Sequence, residues 1–217
     1  MLKLGVLASG RGSNFQAIID AIEDGRLKAS LALLIVDNPS AFAVERAKKH
    51  GIAHLCMAPR DFASRDAYYE AVAGELKERG VGLVILAGFM RVVGKPLLDA
   101  FPMRVMNIHP ALLPSFPGLH GQRQALDYGA RVSGCTVHFV DEGVDTGPII
   151  IQAAVPVLPD DTEESLSERI LAYEHRIFPE AIRLFSEGRI EVRGRRVVIR
   201  GHRAPGSDGF VNPGITS

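Results

Sequence analysis

The sequence has few cysteines, and they form no recognisable pattern. Its two cysteines, Cys56 and Cys135, are far apart and make no Cys-x-x-Cys pair. Two cysteines are too few for a disulfide framework, and neither has a sequence neighbour that would activate its thiol. We therefore expect two small buried hydrophobic residues in a reducing cytosol, and no cysteine catalysis.

Long hydrophobic runs are also missing. The longest wholly uncharged apolar run, Val81 to Met90, is about half of the ~20 residues that a bilayer-spanning helix needs. Near the amino terminus, Leu4 to Ala8 is shorter than the apolar stretch of a secretory signal and is more typical of a first strand. We expect a cytoplasmic protein with no membrane partner.

The chain has no excess of charge of either sign. Its 25 Lys and Arg residues balance 25 Asp and Glu residues, and the sequence pI is about 7.1. This balance disfavours nucleic acid and anionic membranes as partners, so an anionic ligand must be held by a local site. With 47% hydrophobic residues, the 217-residue chain has the material for a sizeable core.

The length favours one large domain, or one domain with an appendage. We predict a single domain over residues 1–202. After Arg203, glycine, proline and serine dominate, so residues 203–217 are predicted to form a flexible tail.

Short apolar runs alternate with helical patterns in the first half, which predicts strands buried on both faces of a parallel sheet. The predicted strands are Leu4–Ala8, Leu31–Val36, Ile52–Met57, Leu83–Ala87 and Val105–Ile108. Helices are predicted from Ser13 to Gly25, over Ala41–Lys49, over Ser64–Arg79 and between Pro96 and Pro102, with Ser13 and Gln16 forming a capping box. This order predicts an α/β fold with a doubly wound, mostly parallel sheet.

The second half has a different pattern. A loop with a brief helix is predicted over Gly118–Gly129, followed by strands over Cys135–Val140 and Ile149–Ala153. A long helix is predicted from Thr162 to Ser186, interrupted or kinked at Pro179, and a terminal hairpin is predicted over 190–199.

A glycine-rich segment, Ser9 to Asn14, lies between the first strand and the first helix. Backbone N–H groups and the helix dipole converge there and suit a phosphate, although a tight turn alone would also need glycine. Phe15 stands where the dinucleotide fingerprint has its third glycine, while Asp37 could serve as a ribose-binding acid. The segment by itself leaves these interpretations open.

A more informative pattern is Asn107-Ile108-His109, at the end of a predicted parallel strand. Residues two apart on a strand share a face, and the carboxyl ends of parallel strands are where ligands bind. His138 precedes an acidic loop that contains Asp145. We expect Asp145 to approach His109, favour its imidazolium and raise its pKa, which would make the pair a general acid/base.

Patterns for metal binding and for a serine nucleophile are missing. The histidines at 109, 120 and 138 show no zinc spacing, and there is no Gly-x-Ser-x-Gly segment. We predict no metal and no covalent catalysis.

Several segments together resemble the folate-dependent formyltransferases. They are Asn107-Ile108-His109-Pro110-Ala111-Leu112-Leu113-Pro114, Phe116-Pro117-Gly118 and Asp145-Thr146-Gly147-Pro148, joined by Gly10-Arg11-Gly12-Ser13-Asn14, Leu86-Ala87-Gly88-Phe89-Met90-Arg91 and Tyr173-Glu174-His175. The last three segments are similar to the branch of that family that formylates glycinamide ribonucleotide in purine biosynthesis. The resemblance covers about residues 1–190. It implies a phosphate- and nucleotide-binding half over 1–100 and a catalytic and folate-binding half over 101–202.

The resemblance implies 10-formyltetrahydrofolate as the formyl donor and assigns residues to three groups. It implies catalytic roles for Asn107, His109 and Asp145, with the first two donating to the developing oxyanion. It implies contacts to the ribonucleotide from Gly12, Ser13, Asn14 and Glu174. It implies contacts to folate from Arg65, Met90, Arg91, Val92, Val93, Asn107, Asp141, Glu142, Gly143, Val144 and Asp145. Leu171 stands where the resemblance would place a polar residue, so it is left out of the site.

Three alternatives remain open. Formylation of tRNA, or hydrolysis of the folate donor, is the chemistry of related members that carry further domains. A nicotinamide-dependent oxidoreductase would use the glycine-rich turn and Asp37. A non-catalytic nucleotide-binding module would use the same turn with a merely structural trio. The partners are expected to be small molecules, and the chain is expected to be a monomer or a homodimer.

Overall fold

Residues 1–201 are described by the structure, which is a computed structural model, and they alternate strands with helices. The predicted tail over 203–217 lies outside the described residues. The strands are β1 (Leu2–Ala8), β2 (Ala29–Val36), β3 (His54–Cys56), β4 (Leu83–Leu86), β5 (Val105–His109), β6 (Val132–Phe139), β7 (Ile149–Pro156), β8 (Ile190–Arg193) and β9 (Arg196–Ile199). The helices are α1 (Ser13–Glu23), α2 (Ala43–Lys49), α3 (Arg65–Glu78), α4 (Lys95–Ala100), α5 (Gly121–Tyr128) and α6 (Glu163–Ser186), with a 3₁₀ turn at Pro59–Asp61.

One seven-stranded sheet carries the fold, in the order β3-β2-β1-β4-β5-β6-β7. The first five strands pair in parallel, whereas β6 and β7 pair antiparallel, and β8 and β9 form a separate hairpin. The predicted doubly wound, mostly parallel sheet with a long helix and a terminal hairpin is confirmed. Because β4 pairs with β5, the sheet runs without a break through both predicted halves of the chain.

Alternation along the strands divides the core between the two faces of the sheet. In β1, Leu4, Val6 and Ala8 pack with α1 and α6, whereas Leu7 packs on the opposite face with α3 and α4. Each of these four side chains is fully buried. A strand segment covered by helices on both faces must be apolar, which is why residues 4–8 of β1 show no polar alternation, whereas Lys3 near the start of the strand is exposed.

The sheet edge changes the environment of one cysteine. β3 is an edge strand of only three residues, shorter than predicted, and Cys56 at its end is exposed. The expectation that Cys56 is buried is therefore wrong, because an edge strand lacks a neighbour on one side. Cys135 lies on β6, which has β5 on one side and β7 on the other, and its burial raises the pKa of the thiol to about 12.

The first helix begins differently from the prediction. Ser13 is the first helical residue, the preceding Gly12 is the N-cap in a left-handed conformation (φ +67°), and no side chain caps the helix. The predicted capping box from Ser13 is therefore wrong. A Cβ on Gly12 would lie 2.8 Å from the Cβ of Ala43, so the loop can pass this close to α2 only with glycine.

The long helix α6 runs through Pro179 without interruption. Its start has a true capping box, in which the Thr162 side chain accepts from the Ser165 amide and the Ser165 hydroxyl accepts from the Thr162 amide. Pro179 is buried, so packing against the sheet holds the helix together where one backbone donor is missing. Over residues 1–201, no helix is both long and apolar enough to cross a membrane.

Candidate active site

The carboxyl end of β5 brings the two predicted donors to one face. His109 is buried, and its Nε2 lies 2.8 Å from the carbonyl oxygen of Phe116. Its Nδ1 lies 3.3 Å from Oδ2 of Asp145. Asn107 lies two residues earlier, with its Nδ2 at 3.2 Å from Nε2 of His138. The expected approach of Asp145 to His109 is thus present.

Asp145 is held by a strained and tightly packed loop. Its backbone is in the left-handed region (φ +54°), which a non-glycine residue rarely adopts. Its Oδ2 accepts a hydrogen bond from the Gly118 amide at 2.8 Å. A Cβ on Gly147 would lie 1.8 Å from the Phe139 carbonyl oxygen, so only glycine lets the chain return this close to β6. The loop therefore fixes the carboxylate over β5 and β6 before any ligand binds.

His138 joins this cluster, although the sequence did not identify it as a site residue. It is almost fully buried, and its Nε2 lies 3.6 Å from Oδ1 of Asp145. Its Nδ1 lies 2.8 Å from the carbonyl oxygen of Phe139, which only an N–H can satisfy. Nε2 therefore faces both the side-chain amide of Asn107 and the carboxylate of Asp145. The register Asn107↔His138 between β5 and β6 produces this contact, and register is not readable from one sequence.

The electrostatics of His109 differ from the expectation. Burial lowers the pKa of His109, while the negative charge of Asp145 and the hydrogen bond to the Phe116 carbonyl raise it, and the net direction is downward. The expectation of a raised pKa is therefore wrong, because the desolvation of the imidazolium outweighs its acidic neighbour. Oxygen atoms nevertheless face both ring nitrogens, so a proton gained during a reaction has an acceptor on each side.

Asp145 is kept ionised by its neighbours. Burial raises the pKa of Asp145, but the hydrogen bond with His138, the Gly118 amide and the nearby His109 together lower it. The net direction is downward, so the carboxylate carries its charge at neutral pH. The Asp145 carboxylate can therefore orient the His109 ring and balance its positive charge when the ring is protonated.

The predicted ribonucleotide residues lie together at the start of α1. Nδ2 of Asn14 donates to Oε2 of Glu174 at 2.7 Å, which links the glycine-rich segment to α6 across 160 residues of sequence. Both side chains are buried, and burial raises the pKa of Glu174 although the hydrogen bond from Asn14 opposes this. Oδ1 of Asn14 has no hydrogen-bond partner among residues 1–201. Gly12 and Ser13 precede this pair on the same turn.

A cavity of about 460 Å³ adjoins this turn through Ser13. Arginines from three separate segments contribute to its lining, which suits an anion. The lining residues are Ser13, Gln16, Ala17, Asp20, Arg26, Arg46, His175 and Arg176. Leu171, the unexpected apolar residue, is half-buried on α6 and is not part of this lining.

The predicted folate residues after β4 form a fixed segment with an exposed apolar surface. Met90 is 65% exposed and Val92 is 52% exposed, whereas Val93 is buried. Nη2 of Arg65 donates to the carbonyl oxygens of Val92 and Val93 at 2.9 and 3.1 Å. The Tyr69 hydroxyl also donates to the Val92 carbonyl, at 2.9 Å. Arg65 therefore shapes this segment, and the side chains of Met90 and Val92 are left for a flat apolar ligand.

The acidic loop over Asp141–Asp145 is built by its own first residue. Oδ1 of Asp141 accepts from the Gly143 amide at 3.1 Å and from the Thr146 hydroxyl at 2.5 Å. Val144 is 49% exposed, and Glu142 lies 3.4 Å from Nζ of Lys95. The loop is thus organised internally and carries one apolar side chain at its surface.

Two sequence alternatives can be compared with this geometry. For the nicotinamide alternative, Oδ2 of Asp37 already accepts from Nε of Arg91 at 2.5 Å, which leaves one carboxylate oxygen for a ribose hydroxyl. In the described part of the chain, no group of three or more His, Cys, Asp and Glu residues could hold a metal ion. The prediction that the reaction needs no metal stays a prediction.

Comparison with known proteins identifies the family. The family model described as formyl transferase matches residues 2–182. A phosphoribosylglycinamide formyltransferase of Bacillus subtilis is 43% identical over 183 residues, which is 84% of this chain and 94% of that protein. The trifunctional purine biosynthetic protein adenosine-3 of Drosophila melanogaster is 50% identical over 188 residues, but the chain spans only 14% of its length.

Solved structures agree with the sequence comparisons. The crystal structure of glycinamide ribonucleotide transformylase 1 from Symbiobacterium toebii is 57% identical with a TM-score of 0.91, covering 92% of this chain and 94% of that one. The phosphoribosylglycinamide formyltransferase of Bacillus halodurans is 46% identical with a TM-score of 0.81, covering 83% and 93%. A family match over most of the chain, with relatives matched over nearly their full length, shows that this chain belongs to the formyl transferase family of enzymes.

Proposed function

We propose that the chain transfers the formyl group of 10-formyltetrahydrofolate to the amine of glycinamide ribonucleotide in purine biosynthesis. The products are formylglycinamide ribonucleotide and tetrahydrofolate. The observation that carries the proposal is the cluster of Asn107, His109, His138 and Asp145 at the end of β5. The names of relatives that the chain matches over most of their length support the same acceptor.

In this proposal the site stabilises negative charge on the formyl oxygen as the uncharged amine attacks the formyl carbon. The side-chain amide of Asn107 and an N–H of His109 are the donors, with Nε2 exchanging the Phe116 carbonyl for the formyl oxygen. Donors that are positioned before the reaction stabilise such charge without reorganisation. His138 orients Asn107 by accepting from its amide, and Asp145 orients His109.

A proton must also leave the attacking amine and reach the departing folate nitrogen. His109 suits this transfer because its pKa, lowered by burial, favours the neutral ring, in which one of the two nitrogens carries no proton and can accept one. As a proton arrives, the ionised Asp145 balances the new charge. No covalent intermediate with the protein is needed.

The two substrates meet this cluster from opposite sides in the proposal. The phosphate binds at the Gly12–Asn14 turn with Glu174 on the sugar or glycinamide part. The pterin lies along Met90 and Val92, and the Asp141–Asp145 loop closes on it. The exposed apolar side chains after β4 fit a flat ring, and the start of α1, which no side chain caps, fits a phosphate.

The test is a mass-spectrometric assay with 10-formyltetrahydrofolate, with and without glycinamide ribonucleotide. We expect formylated ribonucleotide from the wild type, and a loss of at least ~10²-fold in rate for His109→Ala. His54→Ala is the matched control, because His54 is a half-buried histidine on the edge strand β3. Formate released without ribonucleotide would indicate a hydrolase, and no consumption of the donor would contradict the proposal.

A further inference from the structure

The glycine-rich turn before α1 is fastened to α2, the helix that packs beside it. The amide of Ala43, the first residue of α2, donates to the Gly10 carbonyl at 3.1 Å. One turn further along α2, Nε of Arg46 donates to the Arg11 carbonyl at 3.0 Å. Two consecutive carbonyl groups of the turn are therefore bound by α2.

These two contacts fix the direction of the amides that follow. In a trans peptide the N–H points opposite to the C=O, and both peptides are trans. Because the carbonyls of Gly10 and Arg11 face α2, the N–H groups of Arg11 and Gly12 face away from it. Gly12 has a left-handed backbone and the helix begins at the next residue, a combination in which successive amides form an anion-binding concavity.

The side chain of Arg46 is itself held on several sides. Its Nη1 donates to Oε1 of Gln16 at 2.9 Å, and its guanidinium carbon lies 5.1 Å from the centre of the Phe42 ring. Nε2 of Gln16 in turn donates to Oδ1 of Asp20 at 2.8 Å, which fixes the orientation of the Gln16 amide. The hydrogen bond from a charged guanidinium to the Arg11 carbonyl is stronger than one between neutral groups. Arg46 can thus hold the turn in one conformation.

We propose that Arg46 is a positioning residue, which holds the Arg11 carbonyl so that the amides of the turn stay directed at the ribonucleotide phosphate. The inference rests on the proposed function, which places this phosphate at the Gly12–Asn14 turn. Without Arg46, the peptide between Arg11 and Gly12 gains rotational freedom. That freedom is lost again when the phosphate binds, so the affinity for the phosphate falls.

Direct attraction of the phosphate by the charge of Arg46 is the competing explanation, because Arg46 also lines the cavity beside Ser13. The variant Arg46→Lys separates the two. Lysine keeps the positive charge but lacks the fixed fork that reaches a carbonyl and an amide oxygen together. Positioning predicts that Arg46→Lys behaves like Arg46→Ala, whereas direct attraction predicts that it behaves like the wild type.

The experiment compares two ligands that differ only in the phosphate. Binding of glycinamide ribonucleotide and of its phosphate-free riboside is measured by NMR titration without the formyl donor. We expect Arg46→Ala and Arg46→Lys each to weaken ribonucleotide binding about 10-fold and to leave riboside binding unchanged. In steady state, the KM for the ribonucleotide rises while kcat stays within about twofold and the KM for the formyl donor does not change.

Arg79→Ala is the matched control for the loss of an anchored arginine. Arg79 is also half-buried, and its Nη1 donates to the Glu75 carbonyl at 3.1 Å and to the Glu75 carboxylate at 2.6 Å, at the end of α3. The control variant should lower stability without changing the affinity for either ligand.

The outcomes are distinct from those of the turnover assay. Wild-type affinity in Arg46→Lys, or equal weakening of both ligands by Arg46→Ala, overturns the positioning role. A preference for the phosphate-bearing ligand that is lost in both Arg46 variants, in a protein that does not formylate it, would reject the proposed acceptor and keep the role of Arg46. A wild type that binds the ribonucleotide no more tightly than the riboside overturns the positioning role even if it formylates the ribonucleotide.

Discussion

At the scale of single residues, the proposed catalytic cluster depends on one carboxylate that contacts two histidines. Asp145 contacts His109 with one carboxylate oxygen and His138 with the other. Burial lowers the pKa of His109, and Asp145 provides the largest opposing influence. The protonation of His109 therefore depends on a single acidic neighbour.

We predict that Asp145→Asn lowers kcat by at least ~10²-fold. Asparagine keeps an oxygen for the Gly118 amide but removes the charge, so the pKa of His109 falls further and less of the ring is protonated at pH 7. Profiles of kcat against pH, with NMR titration of the histidine ring, measure both effects. Asp127→Asn, at an exposed aspartate on α5, serves as the control. Wild-type turnover with an unshifted titration would contradict the role of Asp145.

The second residue-scale prediction concerns Glu174, whose pKa is raised by burial. A carboxyl with a raised folded-state pKa contributes most stability below its unfolded pKa of about 4.3, and the contribution is lost as pH rises through the folded value. We expect Glu174→Gln to be more stable than the wild type at pH 8 by about 1 kcal/mol, with a smaller difference at pH 4. Urea unfolding at the two pH values is the measurement.

The same variant should bind the ribonucleotide at least ~10-fold more weakly, since it loses the carboxylate facing the substrate. A control for the loss of an exposed glutamate is Glu45→Gln on α2. If Glu174→Gln is less stable than the wild type at both pH values, the buried charge of Glu174 does not lower the free energy of unfolding, and the prediction is wrong.

At the scale of elements, an ion pair between Asp161 and Arg169 links the first two turns of α6 to the loop before the helix, and Arg169 also donates to the Pro156 carbonyl at the end of β7. Both oxygens of Asp161 bind Arg169, at 2.6 and 2.7 Å, and Oδ2 also accepts from the Leu158 amide. The hydrogen bonds from Arg169 lower the pKa of Asp161 well below its usual range. A depressed carboxyl pKa contributes stability above the unfolded pKa, and that stability is lost as pH falls.

We therefore expect Asp161→Asn to unfold more easily at pH 7, by about 1–3 kcal/mol. The difference from the wild type should shrink as pH falls below about 4, because protonation removes the same charge from the wild type. Urea midpoints at pH 7, 5 and 3.5 test this. Asp24→Asn, in an exposed pair with Arg26, should show little change at any pH. A difference that is independent of pH would contradict the argument.

The hairpin of β8 and β9 also contacts the loop that carries Asp145. Nη2 of Arg195, in its turn, donates to the Thr146 carbonyl at 2.8 Å, one residue after Asp145. We predict that Arg195→Ala lowers kcat by about threefold, through a less well-positioned Asp145, and changes the free energy of unfolding by less than about 0.5 kcal/mol. Arg196→Ala is the matched control, since the side chain of this exposed neighbour forms no hydrogen bond or ion pair within residues 1–201. Equal effects of the two variants on kcat would contradict the prediction.

At the scale of the whole molecule, the predicted single domain has a thermodynamic consequence. One sheet joins the two predicted halves at β4 and β5, and the predicted folate residues come from both of them. We expect one cooperative thermal transition with an unfolding enthalpy of about 140 kcal/mol for ~200 residues. Differential scanning calorimetry tests this, and the calorimetric and van't Hoff enthalpies should agree. Two resolved transitions would contradict the single domain.

The sequence by itself determined the fold class and the location of the main site segments. Near-continuous apolar runs require strands covered on both faces, and Asn107 and His109 must share a face because strands have a two-residue period. These inferences depend only on residues that are close together in the sequence, so they can be made before the tertiary contacts are known. The predicted cap of α1 is wrong because the prediction used only neighbouring residues. Serine is a favoured N-cap residue, but the close approach of Gly12 to Ala43 makes Gly12 the N-cap.

Only the tertiary structure decided which groups touch and how charge is balanced between them. The strand register brings His138 against Asn107, and the order of strands brings Asp37 to Arg91 across β1. Burial reversed the expected direction of the pKa of His109, because desolvation depends on everything packed around the ring. Contacts between residues distant in sequence, and the solvent they exclude, exist only once the chain has folded.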